Sequence, residues 1–333
     1  MWITSSIAKV LKPNAIALGN FDGIHRGHKQ VLQPILKPPG SKIDSLDINN
    51  SHKKQGNYIY STVVTFNPHP REFFSGETRK LLSPTAEKGK LLESLGVEQL
   101  VLLPFDRELA RLTPQQFVEE ILLAQLQVSK ISVGEDFRFG RDRTGTSADL
   151  AAIAAQFGVE VIVNCLQKHS EDSSQTTVRI SSSLIRQALE QGKIALANQM
   201  LGRAYSLRGV VVTGQKLGRT IGFPTANLKL PPSKLLPCRG VYSVKVFIED
   251  TPENNYFNLS SPIQGVMNIG SRPTVDGGST SVEVHLLDWS GDLYDRTLTV
   301  EIEHFLRSEQ KFPSLEALKA QIAADCEIAR KII

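Results

Sequence analysis

Three cysteines in 333 residues are too few, and too widely spaced, to hold a fold together. Cys165, Cys238 and Cys326 form no CxxC pair, which argues against both a disulfide framework and a zinc knuckle. Charge of one sign is also scarce: 38 basic residues face 34 acidic ones, a net +4. So small an excess suits phosphate-bearing ligands. It offers no basic stripe for nucleic acid, and the 7% of aromatic residues are not interleaved with cations. No apolar run approaches the roughly 20 residues that cross a bilayer, so no membrane partner is expected. The opening MWITSSIAKVLKPNAIALGN lacks a basic stretch followed by a long apolar one. No secretory leader is therefore expected, and the cytoplasm is the expected compartment.

What is present is the composition of a globular protein, 41% hydrophobic and 22% charged, with a length that suits two domains. The first half alternates short apolar runs with helical patterns. Strands are expected at 15–18, 60–66, 99–103, 129–133 and 159–163. Helices are expected at 29–36, 85–95, 114–126 and 148–157. This alternation predicts a parallel α/β sheet with crossover helices. One helix is expected over 184–201. From Ser206 the pattern changes to closely spaced β runs without helices between them, which predicts an antiparallel barrel or sandwich. A final helix is expected over 314–332, with Ser314 as its N-cap. Two polar segments, 38–57 and 249–262, read as surface insertions.

The sharpest motif is GNFDGIHRGHKQVL, residues 19–32, which follows a strand and opens a helix. His25 and His28 flank Gly27, where a ligand can approach the backbone. Two imidazoles there can donate hydrogen bonds to a triphosphate as charge builds on leaving pyrophosphate. A bare HxGH would read as two surface histidines in a turn; the whole string, with Gly19, Phe21, Asp22 and Gly23, favours the phosphate site. Asp22 reads at least as well as a structural cap. TFNPHP (65–70) lies where a strand ends, the ligand edge of an open α/β sheet. His69, between two prolines, equally fits a packed turn. VGEDFRFGRDRTG (133–145) offers Arg138, Arg141 and Arg143, and a solvated basic loop is an even alternative. RISSSLIR (179–186) places Arg179 and the hydroxyls of Ser181–Ser183 ahead of a helical run. N-capping alone needs one serine, not three and an arginine.

In the second half, GQKLGRTIGFPTANL (214–228) carries Gly214, Gly218 and Gly222, which suit a mobile loop over phosphates. Thr225 and Asn227, one residue apart, face the same way in extended chain and can hold Mg²⁺ with nucleotide phosphates. No Walker A or protein-kinase motif is present. In SVEVHLLDW, alternation puts Val282, Val284 and Leu286 on one face and Glu283, His285 and Leu287 on the other. Glu283 could accept a proton from a substrate hydroxyl, or simply face solvent.

These motifs together resemble the bacterial bifunctional riboflavin kinase/FMN adenylyltransferase family, also called FAD synthetase, over essentially the whole chain. The resemblance implies an N-terminal Rossmann-like nucleotidyltransferase domain (1–186), a connecting helix (187–203) and a Greek-key β-barrel kinase domain with a terminal helix (204–333). It implies that His25 and His28 orient the ATP phosphates. Gly19, Phe21, Gly27 and Asp136 line the nucleotide, and Arg179, Ser182 and Ser183 contact phosphate. In the barrel it implies Gly214, Gly218, Thr225 and Asn227 at ATP, with Thr225 and Asn227 on Mg²⁺. Glu283 is then the base on the ribityl 5′-hydroxyl, and Arg307, in FLRSEQKF, lies in a flavin-binding segment. GVMNIGSRPT (265–274) and VEVHLLD (282–288) carry the kinase part of the likeness. Ser183 stands where threonine is common. Asp295 stands where the family has glycine, a small change if φ is positive there. The implied partners are the small molecules riboflavin, FMN and ATP, and a homo-oligomer stays open. Two rival readings remain at this point: an adenylyltransferase with a degenerate barrel, and a flavin-binding regulator without turnover.

Overall fold

The computed structural model describes residues 1–37, 58–165, 167–170, 177–214, 217–249, 261–272 and 279–332. The polar segment 38–57, most of 249–262, Gln215, Lys216, Pro273 and Thr274 lie outside the described residues. The chain forms two compact units. Met1–Arg79 and Thr85–Ile180 make the first; Ser181–Ile333, joined by the five residues Lys80–Pro84, makes the second.

The first unit is built on six parallel strands. In chain order they are β1 (Trp2–Thr4), β2 (Asn14–Leu18), β3 (Tyr60–Asn67), β4 (Gln99–Pro104), β5 (Val128–Gly134) and, after a small hairpin of β6 (Arg138–Phe139) and β7 (Gly145–Thr146), β8 (Glu160–Asn164). Their order across the sheet is β1-β4-β3-β2-β5-β8. A second hairpin joins β9 (Lys168–Ser170) and β10 (Thr177–Arg179). Successive residues of β2 point to opposite faces, and both faces are covered. Ala15 and Ala17 pack under α1 (Arg26–Leu32) and α3 (Thr85–Ser94), through Val31, Leu32 and Leu92. Ile16 and Leu18 pack on the other side against Phe117, Leu122, Leu150 and Ala154. Those residues belong to the 114–125 helix and to α6 (Ser147–Ala155). A strand buried on both faces reads as a continuous apolar run, which is why NAIAL is legible as a parallel strand. The chain leaves β2 toward β3 and β4, then returns to β5 on the other side. The end of β2 is therefore the topological switch point, where open α/β sheets bind ligands.

The second unit begins with α7 (Ser182–Glu190) and α8 (Ile194–Leu201). The single helix expected over 184–201 is thus two. Gly192, at φ 71, turns the chain between them, and a Cβ there would meet Cys238 Sγ at 3.2 Å. Six antiparallel strands then close a barrel: β11 (Tyr205–Val212), β12 (Ala226–Lys229), β13 (Gly240–Glu249), β14 (Ile263–Arg272), β15 (Ser279–Leu286) and β16 (Thr297–Arg307). The order β16-β13-β14-β15, with β16 returning beside β13, is a Greek key. Closure leaves no strand edge exposed. Tyr205, Leu207, Val211, Tyr242, Val244 and Val300 fill the interior. A short α9 (Leu217–Thr220) precedes β12, and α10 (Leu315–Ile332) follows β16. Ser314 caps α10, its Oγ accepting from Ala317 N–H at 3.1 Å. Cys326 and Ala329 of α10 cover the outward residues Val241, Val266 and Leu287.

Other departures from the sequence reading have local causes. The helix expected at 114–126 starts as α5 (Pro114–Gln116) and continues to Gln125 in wider turns, with Leu126 N–H reaching the Ile121 carbonyl. The strand β1 is only three residues long, too short to show alternation. Helix α2 (Pro70–Ser75) was hidden because its cap is a histidine, and α4 (Arg107–Arg111) has barely one turn.

Candidate active sites

In the first unit, Gly19 follows β2 and the next five residues make a tight turn before His25 and α1. Phe21 (φ 47), Gly23 (φ 87) and Ile24 (φ 43) all adopt left-handed backbone. Such conformations are costly for phenylalanine and more so for a β-branched isoleucine. They persist because Phe21 and Ile24, each 1% exposed, are anchored in the core under α1 and α3. The turn delivers His25 as the N-cap of α1. His25 Nδ1 accepts from His28 N–H at 3.2 Å, and His28 Nδ1 accepts from His25 N–H at 3.4 Å. The two rings stack with centroids 3.6 Å apart, and Phe21 packs 5.2 Å from the His28 ring. Because each Nδ1 accepts, each neutral ring carries its proton on Nε2, so Nε2 is the donor atom of both. A Cβ on Gly27 would come within 3.2 Å of His25 Cε1, so glycine here keeps the ring pair undisturbed.

The neighbouring strand ends supply further groups. Just past β5, Asp136 pairs with Arg179, the last residue of β10. Both are about half exposed, so the pair is worth little and can open for a ligand. At the end of β3, His69 caps α2, its Nδ1 accepting from Arg71 N–H at 3.1 Å. Burial and the Arg79 guanidinium hold its pKa below the ordinary histidine range. Arg138, Arg141 and Arg143 are exposed on the β5–α6 connection. Ser181 caps α7, accepting from Leu184 N–H at 3.2 Å. Ser182 and Ser183 are therefore the first two helical residues, and they belong to the second unit.

An aromatic cluster at the ends of β3 and β4 escaped the sequence reading. Phe73 and Phe74 of α2 lie 5.3 and 5.9 Å from Phe105, which lies 5.6 Å from Phe66. Phe74 is 72% exposed. An exposed phenylalanine in a row of aromatics at a ligand edge is a surface for a flat ring. The available signal was the Phe-Phe pair two residues after NPHP.

In the second unit the candidates meet on the outer face of the barrel. Asn227 of β12 pairs with Glu283 of β15, and Glu283 pairs with Asn268 of β14. Directly paired residues share a face, so the three form one polar row across three strands. Asn268 pairs in turn with Val241, and Val241 with Arg307, which extends the row to β16. Thr225, just before β12, donates its hydroxyl to Glu283 Oε2 at 3.4 Å. His285 Nδ1 lies 2.7 Å from the Pro224 carbonyl, and its ring meets Phe223 edge-on. The glycines ahead of PTAN act by close approach. A Cβ on Gly214 would fall 2.2 Å from Asn227 Nδ2; one on Gly218 would fall 2.3 Å from the Phe223 carbonyl and 3.3 Å from Thr225 Oγ1. Asn268 was not singled out in the sequence, since MNIG shows no partner for it until β14 and β15 are paired.

Arg307 is held by α10. Its Nε and Nη2 donate to the Asp325 carboxylate at 3.0 and 2.8 Å, and Gln321 donates to the same carboxylate at 2.9 Å. Asp325 is almost fully buried, so this bidentate pair fixes α10 on the barrel. Asp295 sits at φ 61, in the left-handed region that glycine would occupy without strain.

As a donor set, Thr225 Oγ1 and Asn227 Oδ1 are hard oxygens on one face. That fits Mg²⁺, which uses one or two protein oxygens and takes the rest from phosphates and water. Among the described residues there is no cluster of three histidine, cysteine or carboxylate side chains that would hold a metal alone.

Residues 7–183 match the FAD synthetase family and residues 201–333 the riboflavin kinase family. The chain is 38% identical over 318 residues to the bifunctional riboflavin kinase/FMN adenylyltransferase of Escherichia coli strain K12, covering 95% of this chain and 91% of that protein. A protein of the same name from Haemophilus influenzae is 38% identical over 326 residues, covering 97% and 95%. A solved structure described as a macrolide-efflux protein from Streptococcus pneumoniae shares the fold with a TM-score of 0.78 at 30% identity, covering 98% of each chain. That description concerns the Streptococcus protein. Among the described residues of this chain no helix is long and apolar enough to cross a membrane.

Proposed function

We propose a division of labour among these side chains on one premise: the chain belongs to the bifunctional riboflavin kinase/FMN adenylyltransferase family. Its barrel unit phosphorylates riboflavin with ATP to give FMN and ADP. Its parallel-sheet unit transfers the adenylyl group of a second ATP to FMN, giving FAD and pyrophosphate.

For adenylyl transfer, a phosphate oxygen of FMN attacks the α-phosphorus of ATP and the bond to the pyrophosphate oxygen breaks. No covalent enzyme intermediate is required. His25 and His28 donate from Nε2 to the polyphosphate, where negative charge grows in the transition state. The observation that carries this assignment is the reciprocal cap, because it fixes both ring tautomers before substrate arrives. Gly19, Phe21 and Gly27 shape the turn around the nucleotide. Asp136 and Arg179 supply further phosphate and ribose contacts. Phe74 and its aromatic neighbours receive the isoalloxazine ring.

For phosphorylation, Glu283 accepts the proton of the ribityl 5′-hydroxyl as its oxygen bonds to the γ-phosphorus, and ADP leaves. Thr225 and Asn227 would hold Mg²⁺ together with the ATP phosphates. When bound, the ion offsets polyphosphate charge. Gly214 and Gly218 let the loop close onto Asn227 and Thr225. Arg307 serves the flavin through the position it gives α10.

The assay is direct. Purified protein is incubated with ATP, Mg²⁺ and either riboflavin or FMN, and the flavins are separated by chromatography. FMN followed by FAD is expected. Conversion of FMN alone would leave only the adenylyltransferase, and no turnover would leave a flavin-binding regulator.

A further inference from the structure

The turn that carries the histidine pair rests on a buried cation that the chemistry above does not use. Lys88 of α3 is 8% exposed, and its Nζ donates to the carbonyl of Asn20 at 2.9 Å. Thr65 Oγ1 of β3 donates to the same carbonyl at 3.1 Å. Asn20 is the second residue past β2, directly ahead of the run that holds the left-handed residues Phe21, Gly23 and Ile24. The side chains of Phe21 and Ile24 are gripped by the core, but a run of such backbone also needs its entry fixed. Two donors from different elements, one a charged group, fix it.

An ammonium is a costly way to satisfy one carbonyl. Burial pushes the Lys88 pKa down, and the nearby Asp22 carboxylate pulls it back up. Asp22 is itself 5% exposed and lies within the same turn. A lysine kept under these conditions, beneath the segment that presents His25 and His28, has a role that an apolar residue of the same length could not fill.

We propose that Lys88 is a positioning residue of the adenylyl-transfer site, holding the Asn20 carbonyl so that the 20–24 turn presents the His25–His28 pair to the ATP phosphates. The proposal rests on the assignment of those histidines. Lys88 touches no reacting atom; it acts through the turn. Its hydrogen bond and the Thr65 hydrogen bond converge on one oxygen, so the two are coupled.

The test measures FMN-to-FAD and riboflavin-to-FMN kinetics in the same full-length chain, with thermal unfolding alongside. Lys88→Met keeps the stem and removes the donor and charge. Its kcat for adenylyl transfer is expected to fall ~10-fold or more, with the KM for ATP within about three-fold and riboflavin phosphorylation unchanged. Lys88→Gln, a shorter neutral donor, is expected to lose at least about three-fold. Combined with Thr65→Val, Lys88→Met is expected to lose more than the product of the single losses, which a role in stability alone would not produce. A folded Lys88→Met or Lys88→Gln protein with kcat within about two-fold of the unaltered chain overturns the proposal, as does independence of the two substitutions. His28→Ala separates the layers. If it leaves adenylyl transfer intact, the histidine assignment itself fails; if it abolishes transfer while Lys88→Met does not, only the role of Lys88 fails.

Discussion

The two units solve the same problem, holding a nucleotide polyphosphate beside a flavin, with opposite local designs. In the parallel-sheet unit the proposed histidine pair comes from one unbroken stretch, residues 19–28, just past a single strand. Backbone strain in that stretch is held by buried side chains, and two histidines cap each other. In the barrel unit no such stretch exists among the described residues. Asn227, Asn268 and Glu283 come from three strands, with Thr225 just ahead of β12, and they meet only because the register of β12, β15 and β14 places them in one row. A site made by a turn draws its groups from one stretch, and only its supports, Thr65 and Lys88 here, come from elsewhere. One made by strand register depends on every pairing between its members.

The sharpest way to break this comparison is a crossed pair of substitutions. Glu283→Ala is expected to reduce riboflavin phosphorylation by about 10²–10⁴-fold, the usual worth of a general base, while FMN is still converted to FAD. His28→Ala is expected to do the reverse, losing about 3 kcal/mol of transition-state stabilisation so that FMN accumulates. Chromatography of the flavin products reads both. Equal loss of the two activities in either folded protein would mean that the sites are not separate.

Gly214→Ala tests the register design directly. A methyl group there meets the Asn227 amide at 2.2 Å and must displace it. Misplacement on the order of 1 Å costs ~10²-fold, so kinase kcat is expected to drop by about that factor with adenylyl transfer unaffected. Arg307→Ala asks how far the barrel face depends on α10. With Asp325 buried and its main partner gone, the second unit is expected to lose on the order of 3 kcal/mol in urea unfolding followed by α10-specific hydrogen exchange. The first unit should keep its own transition. The smallest expected effect is at Asp295, already at φ 61. Asp295→Gly is expected to change stability by less than ~1 kcal/mol, because glycine relieves the left-handed strain and gives part of it back as unfolded-state entropy.

The contrast in design also explains how legible each part was. GNFDGIHRGH can be read because its chemistry is contiguous and follows a both-faces-buried strand. Even so, the sequence could not show that the two histidines cap each other, since that depends on ring orientation. PTAN and Glu283 were legible chiefly through family resemblance. Alternation in SVEVHLLDW correctly separated the inward Val282, Val284 and Leu286 from Glu283, but it could not supply Asn227 or Asn268 as neighbours. The glycines at 214 and 218 read as a mobile loop, whereas the packing shows close approach to Asn227 and Thr225. Phe74 was missed because an exposed aromatic cannot be told from a core one by pattern alone. The break at Gly192 was missed because a helical period continues in register across three residues.

What the sequence determined by itself was the kind of chain: an α/β half, a β half, and a phosphate motif set at a strand end. These follow from hydrophobic periodicity and turn chemistry, which act over neighbouring residues. Tertiary structure alone decided which residues share a face, which glycines touch a side chain far along the chain, and which cation lies under the histidine turn. Lys88 and Asn20 are 68 residues apart. No local pattern brings a lysine to a carbonyl at that separation. Packing of α3 against the sheet does, because Leu92 and the turn's own Phe21 and Ile24 bury one shared apolar surface.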